Sequence, residues 1–182
     1  MGKNLPEITA ELRSFIEKQP IFFVGSAPLD SNGHVNVSPK GLDTFRVIDE
    51  KHVAYLDLTG SGNETAAHIA ENHRLTIMFC AFSGRPEIVR LYCLGTVVTR
   101  NSPDWESVRS LFPEYDGVRQ VILGEVRSVQ TSCGYAVPEM TLKQQRDTLC
   151  KWIEKKTEEE LVDYRSRKNR TSLDGLNAPP TD

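Results

Sequence analysis

One stretch of the chain has residue types that suit the binding of an anion: residues 57–65, with the sequence DLTGSGNET. It connects a predicted strand to a predicted helix, and its two glycines allow tight backbone turns. Ser61, Asn63 and Thr65 place short polar side chains where the first N–H groups of a helix have no partner. Backbone donors and the positive end of a helix dipole at such a place bind phosphate. An ordinary helix cap has the same composition, so the stretch by itself leaves both interpretations open.

Two cations lie near features that would bring them to a ligand. Lys40 follows Pro39 in the run HVNVSPKG, residues 34–41, and proline cannot donate to a sheet ladder. We therefore expect strand pairing to be interrupted there, leaving backbone groups available to a ligand. Arg90 is the charged residue of the apolar run IVRLYCLG, residues 88–95. If buried, Arg90 needs an anionic or carbonyl partner; if it faces outward, it is simply solvated, and the pattern allows both.

Composition excludes several classes of protein. The 182 residues have a net charge of −3, with 38% hydrophobic and 26% charged residues, which is typical of a soluble globular domain. A net negative charge disfavours nonspecific binding to nucleic acid. The sequence contains neither an apolar run of about 20 residues that could cross a membrane nor the apolar core of a signal peptide. We therefore expect a cytoplasmic protein that binds neither nucleic acid nor membranes.

The cysteines and histidines lack the spacing of a metal site. Cys80 and Cys93 lie in apolar runs, which predicts buried, reduced thiols, and no CxxC pair occurs. The four histidines do not form an HExxH or a zinc-finger pattern. They are predicted to be surface or capping side chains, and no metal is expected.

The predicted elements are mostly strands. An amphipathic helix over 8–16 comes first, followed by short runs rich in β-branched and aromatic residues: IFFVGSA, HVNVSPK, FRVI, HVAYLDL, LTIMFCAF, IVRLYCLGTVV and VRQVILGEVRSVQTS. Helices are predicted over 65–72, over 103–112 from a Ser102 cap, and over 142–160. Consecutive strands are too close for crossover helices, which favours an antiparallel barrel or sandwich. We expect one domain over 1–140, a C-terminal helical extension over 141–170 and a flexible tail over 171–182.

The order and spacing of three segments resemble the pyridoxamine 5′-phosphate oxidase-like flavoproteins. These segments are HVNVSPKG at 34–41, HVAYLDLTGSGNETAAHIAENHRLTIMF at 52–79 and IVRLYCLG at 88–95, and the resemblance extends over roughly 8–137. It implies a mainly β fold, the FMN-binding antiparallel split β-barrel with peripheral helices. It also implies a homodimer that binds two FMN molecules at the subunit interface, each contacted by both chains.

The resemblance assigns cofactor-binding positions residue by residue. Those that match flavin contacts of the family are Val37, Ser38, Pro39, Lys40, Leu58, Thr59 and Ser132. Where typical members place an Arg-Lys pair against the phosphate, this chain has Glu64 and Thr65, so we expect the phosphate to depend on Ser61, Asn63 and Thr65, with charge from Lys40 or Arg90. Arg90 replaces a glutamine of typical members, and a cation at the flavin edge would stabilise the reduced anion.

These observations favour an FMN-dependent oxidoreductase that acts on a small-molecule substrate or electron donor. Two alternatives remain open at the level of sequence. One is a non-catalytic flavin-binding or stress-associated protein. The other is a split barrel that holds a deazaflavin or a haem, for which His34 and His68 are the candidate haem ligands.

Overall fold

The computed structural model describes residues 2–181 and contains eight strands and five short helices in that range. The strands are β1 (Asn4–Leu5), β2 (Phe22–Ser26), β3 (Asn36–Lys40), β4 (Phe45–Val47), β5 (His52–Leu58), β6 (Arg74–Cys80), β7 (Ile88–Val98) and β8 (Val118–Ser132). The helices are α1 (Ala10–Ile16), α2 (Glu64–Asn72), α3 (Trp105–Arg109), α4 (Thr148–Ile153) and α5 (Glu158–Lys168). No helix within residues 2–181 is long and apolar enough to cross a membrane.

All strands belong to one antiparallel sheet, in the order β3-β2-β6-β7-β8-β5-β4, with β1 paired to the end of β8. The longest ladder joins β7 and β8, where Ile88 pairs with Ser132 and Val98 with Val121. Buried and more exposed residues alternate along most of β7, as in a sheet with one buried face, whereas Val118–Ile122 of β8 are all buried. The prediction of an antiparallel β fold is confirmed.

The sheet curls until strands near its two ends meet through their side chains. Phe22 of β2 lies with its ring centroid 5.1 Å from that of Phe45 on β4 and 5.7 Å from that of Tyr55 on β5. Phe79 of β6 completes the cluster, with its centroid 4.9 Å from that of Phe45. No backbone ladder joins β3 to β4 among the described residues, so the aromatic cluster closes the barrel where hydrogen bonds do not. This is the split β-barrel expected from the sequence.

Three of the predicted helices have different bounds in the structure. Helix α1 begins after the Thr9 cap, and its Leu12 and Ile16 are buried against the barrel. Helix α3 begins at Trp105 and ends at Arg109, and Ser102 accepts a hydrogen bond from the Thr99 N–H instead of capping the helix. The single helix predicted over 142–160 is wrong: residues 141–147 are not helical, and α4 and α5 are separate.

Pro39 does not interrupt strand pairing, contrary to the expectation from sequence. Strand β3 pairs with β2 without a break from Asn36 to Lys40, with Pro39 opposite Phe23. Because β3 is an edge strand with one neighbour, half of its N–H groups have no sheet partner, and proline costs nothing at such a position.

The C-terminal segment predicted to be a flexible tail packs against the barrel. Ala178 is buried with Ala66 and Ala67 of α2, and the Leu173 N–H donates to the Glu64 carboxylate. Asp174 accepts from the His34 backbone N–H at 2.8 Å and contacts the His34 ring at 2.6 Å. These contacts come from residues far apart in the sequence, so the local composition of the segment does not reveal them.

Replacing Asp174 with asparagine is expected to loosen this segment. Hydrogen bonds from the His34 side chain and backbone lower the pKa of Asp174, so its contribution is complete above the unfolded pKa of about 3.9 and is lost as pH falls below that value. Amide hydrogen exchange at residues 171–178 should be faster in the variant than in the wild type at pH 7. Asp116→Asn, at an exposed site, is the control. Equal exchange in the Asp174 variant and the wild type would show that the contact does not hold the segment.

Candidate functional site

A cavity of about 1210 Å³ opens between the barrel and the segment that follows it. One wall is formed by the end of β3, with Ser38, Pro39 and Lys40, and by Leu58 at the end of β5. Residues from the segment 140–149, which we call the strap, also line the cavity. The cavity exceeds the roughly 300–1,000 Å³ of typical small-molecule sites, so a ligand of nucleotide size fits.

The strap is attached to the barrel at two points. The Met140 N–H donates to the Phe82 carbonyl at 2.7 Å, and the Gln145 side chain donates to the Pro20 carbonyl at 3.2 Å. Most strap side chains are nevertheless exposed, and Met140 and Leu142 are 58% and 57% exposed. The strap therefore lines the cavity while contributing little to the core.

Three charged side chains, from strands β3, β5 and β8, meet at the cavity wall. The Asp57 carboxylate accepts from Lys40 Nζ at 2.7 Å through one oxygen and from Arg119 Nε at 2.8 Å through the other. Gln120 donates to the same oxygen as Arg119, also at 2.8 Å. The Asp57 and Arg119 side chains are only 4% and 5% exposed. Two cations and one carboxylate leave this wall with a net positive charge.

The pKa of Asp57 lies well below its usual range. Burial alone would raise it, but the charges of Arg119 and Lys40 and their hydrogen bonds outweigh that effect. Asp57 is therefore ionised at any physiological pH, and it orients both cations.

In the turn predicted to bind phosphate, the side chains of Asn63 and Thr65 form hydrogen bonds with other residues of the protein. Asn63 donates to the Asn169 carbonyl at 3.3 Å and accepts from Gln120 at 2.8 Å. Thr65 accepts from Asn36 at 3.0 Å. Both side chains are buried, and neither lines the cavity. Ser61 is exposed and lies on the cavity wall, so the structure leaves this serine as the hydroxyl of the turn that a cavity ligand would meet.

Helix α5 holds the same turn from the opposite side. Asn169, directly after α5, donates to the carbonyls of Gly60 and Gly62 at 2.9 and 3.2 Å. Arg165, which is 1% exposed, donates to the Thr59 hydroxyl at 3.3 Å and to Glu158 at 2.8 Å. Thr59 itself donates to the Gly117 carbonyl. The turn is therefore rigid, and its shape depends on residues more than 100 positions later in the chain.

Two predicted site residues lie on the outer face of the barrel. Arg90 on β7 is half-buried and donates to the Ser132 hydroxyl on β8 at 3.0 Å. Neither residue lines the cavity. Val37, 65% exposed on the edge strand, is also outside the cavity lining. The predicted positions thus fall into a cavity group, a buried group and an outer group.

His68 is not the surface or capping residue expected from the sequence. It is completely buried on α2, with its Nδ1 3.0 Å from the Ser26 hydroxyl, and burial lowers its pKa. A chain of hydrogen bonds continues through Asn36 to Ser38 at the cavity. The ring therefore anchors α2 to the barrel and supports the end of β3.

The two cysteines of the apolar runs are buried, as predicted. Burial raises the pKa of Cys80 and raises that of Cys93 to about 12. A thiol with so high a pKa is not a nucleophile at neutral pH.

Comparison with known proteins is consistent with this architecture. The sequence profile described as pyridoxamine 5′-phosphate oxidase matches residues 8–133, more than half of the chain. The chain belongs to the pyridoxamine 5′-phosphate oxidase family. It is also 40% identical to the pyridoxamine 5′-phosphate oxidase family protein ustO of Aspergillus flavus over 190 aligned positions, which cover 93% of this chain and 74% of that protein.

Solved structures of low sequence identity share the fold of this family. The protein HupZ from Group A Streptococcus has a TM-score of 0.52 and 21% identity, covering 67% of this chain and 91% of that one. A putative pyridoxamine 5′-phosphate oxidase from Lactobacillus delbrueckii has a TM-score of 0.54 and 18% identity, covering 70% of this chain and 97% of that one.

Sequence reasoning missed Arg119, Gln120 and the strap. Arg119 and Gln120 stand together in the apolar run VRQVILG, and a polar pair in a buried strand requires internal partners. That signal was present in the sequence, but the identity of the partners was not. The strap follows the region matched by the family profile, and because its sequence was interpreted as the start of a helix, its position beside the cavity was not predicted.

Proposed function

We propose that this member of the pyridoxamine 5′-phosphate oxidase family binds flavin mononucleotide as a homodimer and catalyses a redox reaction of a small molecule. The observation that carries the proposal is the cavity: the end of β3, Leu58 and a wall of positive charge line one space of nucleotide size. Bound flavin mononucleotide would supply hydride transfer at its N5 atom. The protein itself would then orient the cofactor and the substrate and supply the positive charge of the cavity wall.

The residues present fit such a cofactor. A flavin ring needs a flat, partly apolar slot, and Leu42, Leu58 and Phe82 contribute apolar surface to the cavity. The ionised phosphate needs cations and hydroxyls, and Lys40, Arg119 and Ser61 lie on the same lining. Because Asp57 fixes the cations before any ligand arrives, binding requires little reorganisation of charge.

Dimerisation would bring Arg90 and Ser132 of the outer group to the cavity group. Arg90 and Ser132 lie on the outer face of β7 and β8, and on that face Tyr92 and Leu94 are 38% and 37% exposed. Partly exposed apolar side chains beside a half-buried arginine suit a protein interface. A second copy docked there would bring Arg90 to the flavin bound in its partner, and the sequence resemblance implies that both chains contact each FMN.

The proposal is tested by gentle purification followed by absorbance spectroscopy and titration with FMN. We expect a flavin spectrum or saturable binding of added FMN, and a molecular mass of twice that of one chain. A protein that binds no FMN would overturn the proposal, and a Soret band would indicate haem instead. Anaerobic mixing with NADH and with NADPH then tests catalysis, since a flavin that neither reductant bleaches would indicate a binding protein.

Arg90→Ala is expected to weaken FMN binding by about 1–3 kcal/mol, because the variant lacks the guanidinium that would donate a charged hydrogen bond to the cofactor. Flavin fluorescence during titration measures the change. Arg167→Ala, at an exposed ion pair on α5, is the control and should bind as the wild type does. Unchanged affinity in the Arg90 variant would show that Arg90 is a surface residue and would remove it from the site.

A further inference from the structure

The charge at the cavity wall exceeds what the fold needs. One buried carboxylate is neutralised by one cation, yet Asp57 is paired with both Lys40 and Arg119. The cavity lining as a whole carries six Lys and Arg side chains against three Asp and Glu side chains, in a chain whose net charge is −3. The buried Arg119 by itself neutralises the buried Asp57, which removes the cost of an unpaired buried charge, so stability does not require the second, partly exposed cation, Lys40. The surplus therefore indicates an anionic ligand.

The geometry of Arg119 is that of a preorganised donor. Its Nε donates to Asp57 at 2.8 Å and its Nη1 to the Gly62 carbonyl at 2.7 Å, which together fix the plane of the guanidinium. Across residues 2–181, no hydrogen bond involves its third nitrogen, Nη2. A guanidinium held in this way offers a directed N–H to a phosphate oxygen at little entropic cost.

The start of α2 offers fewer groups that could bind the same anion than the cavity wall does. Asn63 and Thr65 are buried and hydrogen-bonded within the protein, and the C-terminal segment lies over Glu64 through the Leu173 N–H. Glu64 itself carries the charge that repels a phosphate. Ser61, by contrast, is on the same cavity lining as the two cations.

We infer that a phosphate monoester binds to Arg119 and Lys40, assisted by the Ser61 hydroxyl, and that Asp57 is the positioning residue which orients both cations. The inference rests on the proposed function, in which the phosphate is that of FMN. It moves the phosphate site from the start of α2, where the sequence predicted it, to the junction of β3, β5 and β8. Arg119 and Lys40 thus replace the Arg-Lys pair that this chain lacks at Glu64 and Thr65.

The test compares the binding of FMN and riboflavin, which differ only by the phosphate. In the wild type we expect FMN to bind more tightly than riboflavin. In Arg119→Gln and in Lys40→Gln the affinity for FMN should fall at least about tenfold, as for loss of a charge-assisted hydrogen bond, while that for riboflavin changes less than about twofold. Arg167→Gln is the control, because Arg167 lies in an exposed ion pair on α5 outside the cavity lining and its variant should keep the wild-type ratio.

Each outcome decides the inference, the flavin proposal or both. Equal losses for FMN and riboflavin in the Arg119 and Lys40 variants, or no loss, would overturn the inference and leave the flavin proposal standing. Loss of the FMN preference in Thr65→Ala but not in the Lys40 variant would return the phosphate to the start of α2. A wild type that binds neither compound would reject both proposals. Thermal unfolding of each variant identifies those that do not fold, and Lys40→Gln, at a partly exposed site, carries the test if Arg119→Gln does not fold.

Discussion

Asp57→Asn is expected to lower the free energy of unfolding by about 3–5 kcal/mol, as when one partner of a buried ion pair is removed. The Arg119 side chain is 5% exposed, and Asp57 is the carboxylate that the structure pairs with it. Without that charge, Arg119 and Lys40 repel each other across a desolvated junction of three strands. Urea denaturation at pH 7 measures the loss.

Acidification should remove the difference between wild type and the Asp57 variant. The pKa of Asp57 in the folded protein is below its unfolded value, so the folded state binds fewer protons. The stabilisation by Asp57 is complete above an unfolded pKa of about 3.9 and is lost as pH falls below that value.

Glu125→Gln is the control for the loss of stability at pH 7. Glu125 is paired with Arg127 at an exposed site, so its replacement should lower the free energy of unfolding by about 0.5 kcal/mol or less. Similar losses in the two variants would contradict the role assigned to Asp57.

Phe22→Ala is expected to cost about 3–5 kcal/mol, the usual range for removing a buried phenyl ring. Phe22 is 3% exposed, and its ring contacts the rings of Phe45, Tyr55 and Phe79 on three other strands. These contacts close the barrel where no backbone ladder joins the described edge strands, so the loss should also loosen β4. Chemical denaturation gives the free energy, and amide exchange at 45–47 reports the loosening.

Phe23→Ala provides the matched control for the aromatic cluster. Phe23 is the next residue of β2, and its side chain points to the opposite, outer face of the sheet, where it is only partly buried. Its replacement should cost clearly less than that of Phe22 and should leave exchange at 45–47 unchanged. Equal effects of the two substitutions would show that the ring cluster does not close the barrel.

The elements that local patterns predicted are those with strong periodicity. The runs interpreted as strands near 74–80, 88–98 and 118–132 are strands β6, β7 and β8, because alternating burial leaves a period-two signal in the sequence. The helix predicted over 65–72 is α2, which begins one residue earlier. The prediction of one helix over 142–160 was wrong because charged and apolar residues there also satisfy a helical pattern, whereas residues 141–147 take an irregular path beside the cavity.

The candidate site was predicted only in part. Ser38, Pro39, Lys40, Leu58 and Ser61 do line the cavity, but Asn63 and Thr65 are used inside the protein, and Arg90 and Ser132 lie on the outer face. Residue types identified polar groups near the turn. They did not indicate whether each group faces the cavity or an internal partner, since that depends on elements packed from elsewhere.

By itself, the sequence determined the antiparallel strand pattern, the family and the neighbourhood of the site, since side-chain periodicity and the order of motifs are local properties of the chain. Only the tertiary structure determined which partner each buried charged group binds. Asp57 and Arg119 are 62 residues apart, and Thr59 and Arg165 are 106 apart. Such pairs form because sheet curvature and the path of the C-terminal segment bring distant residues into one low-dielectric space, where burial makes each charge require a partner.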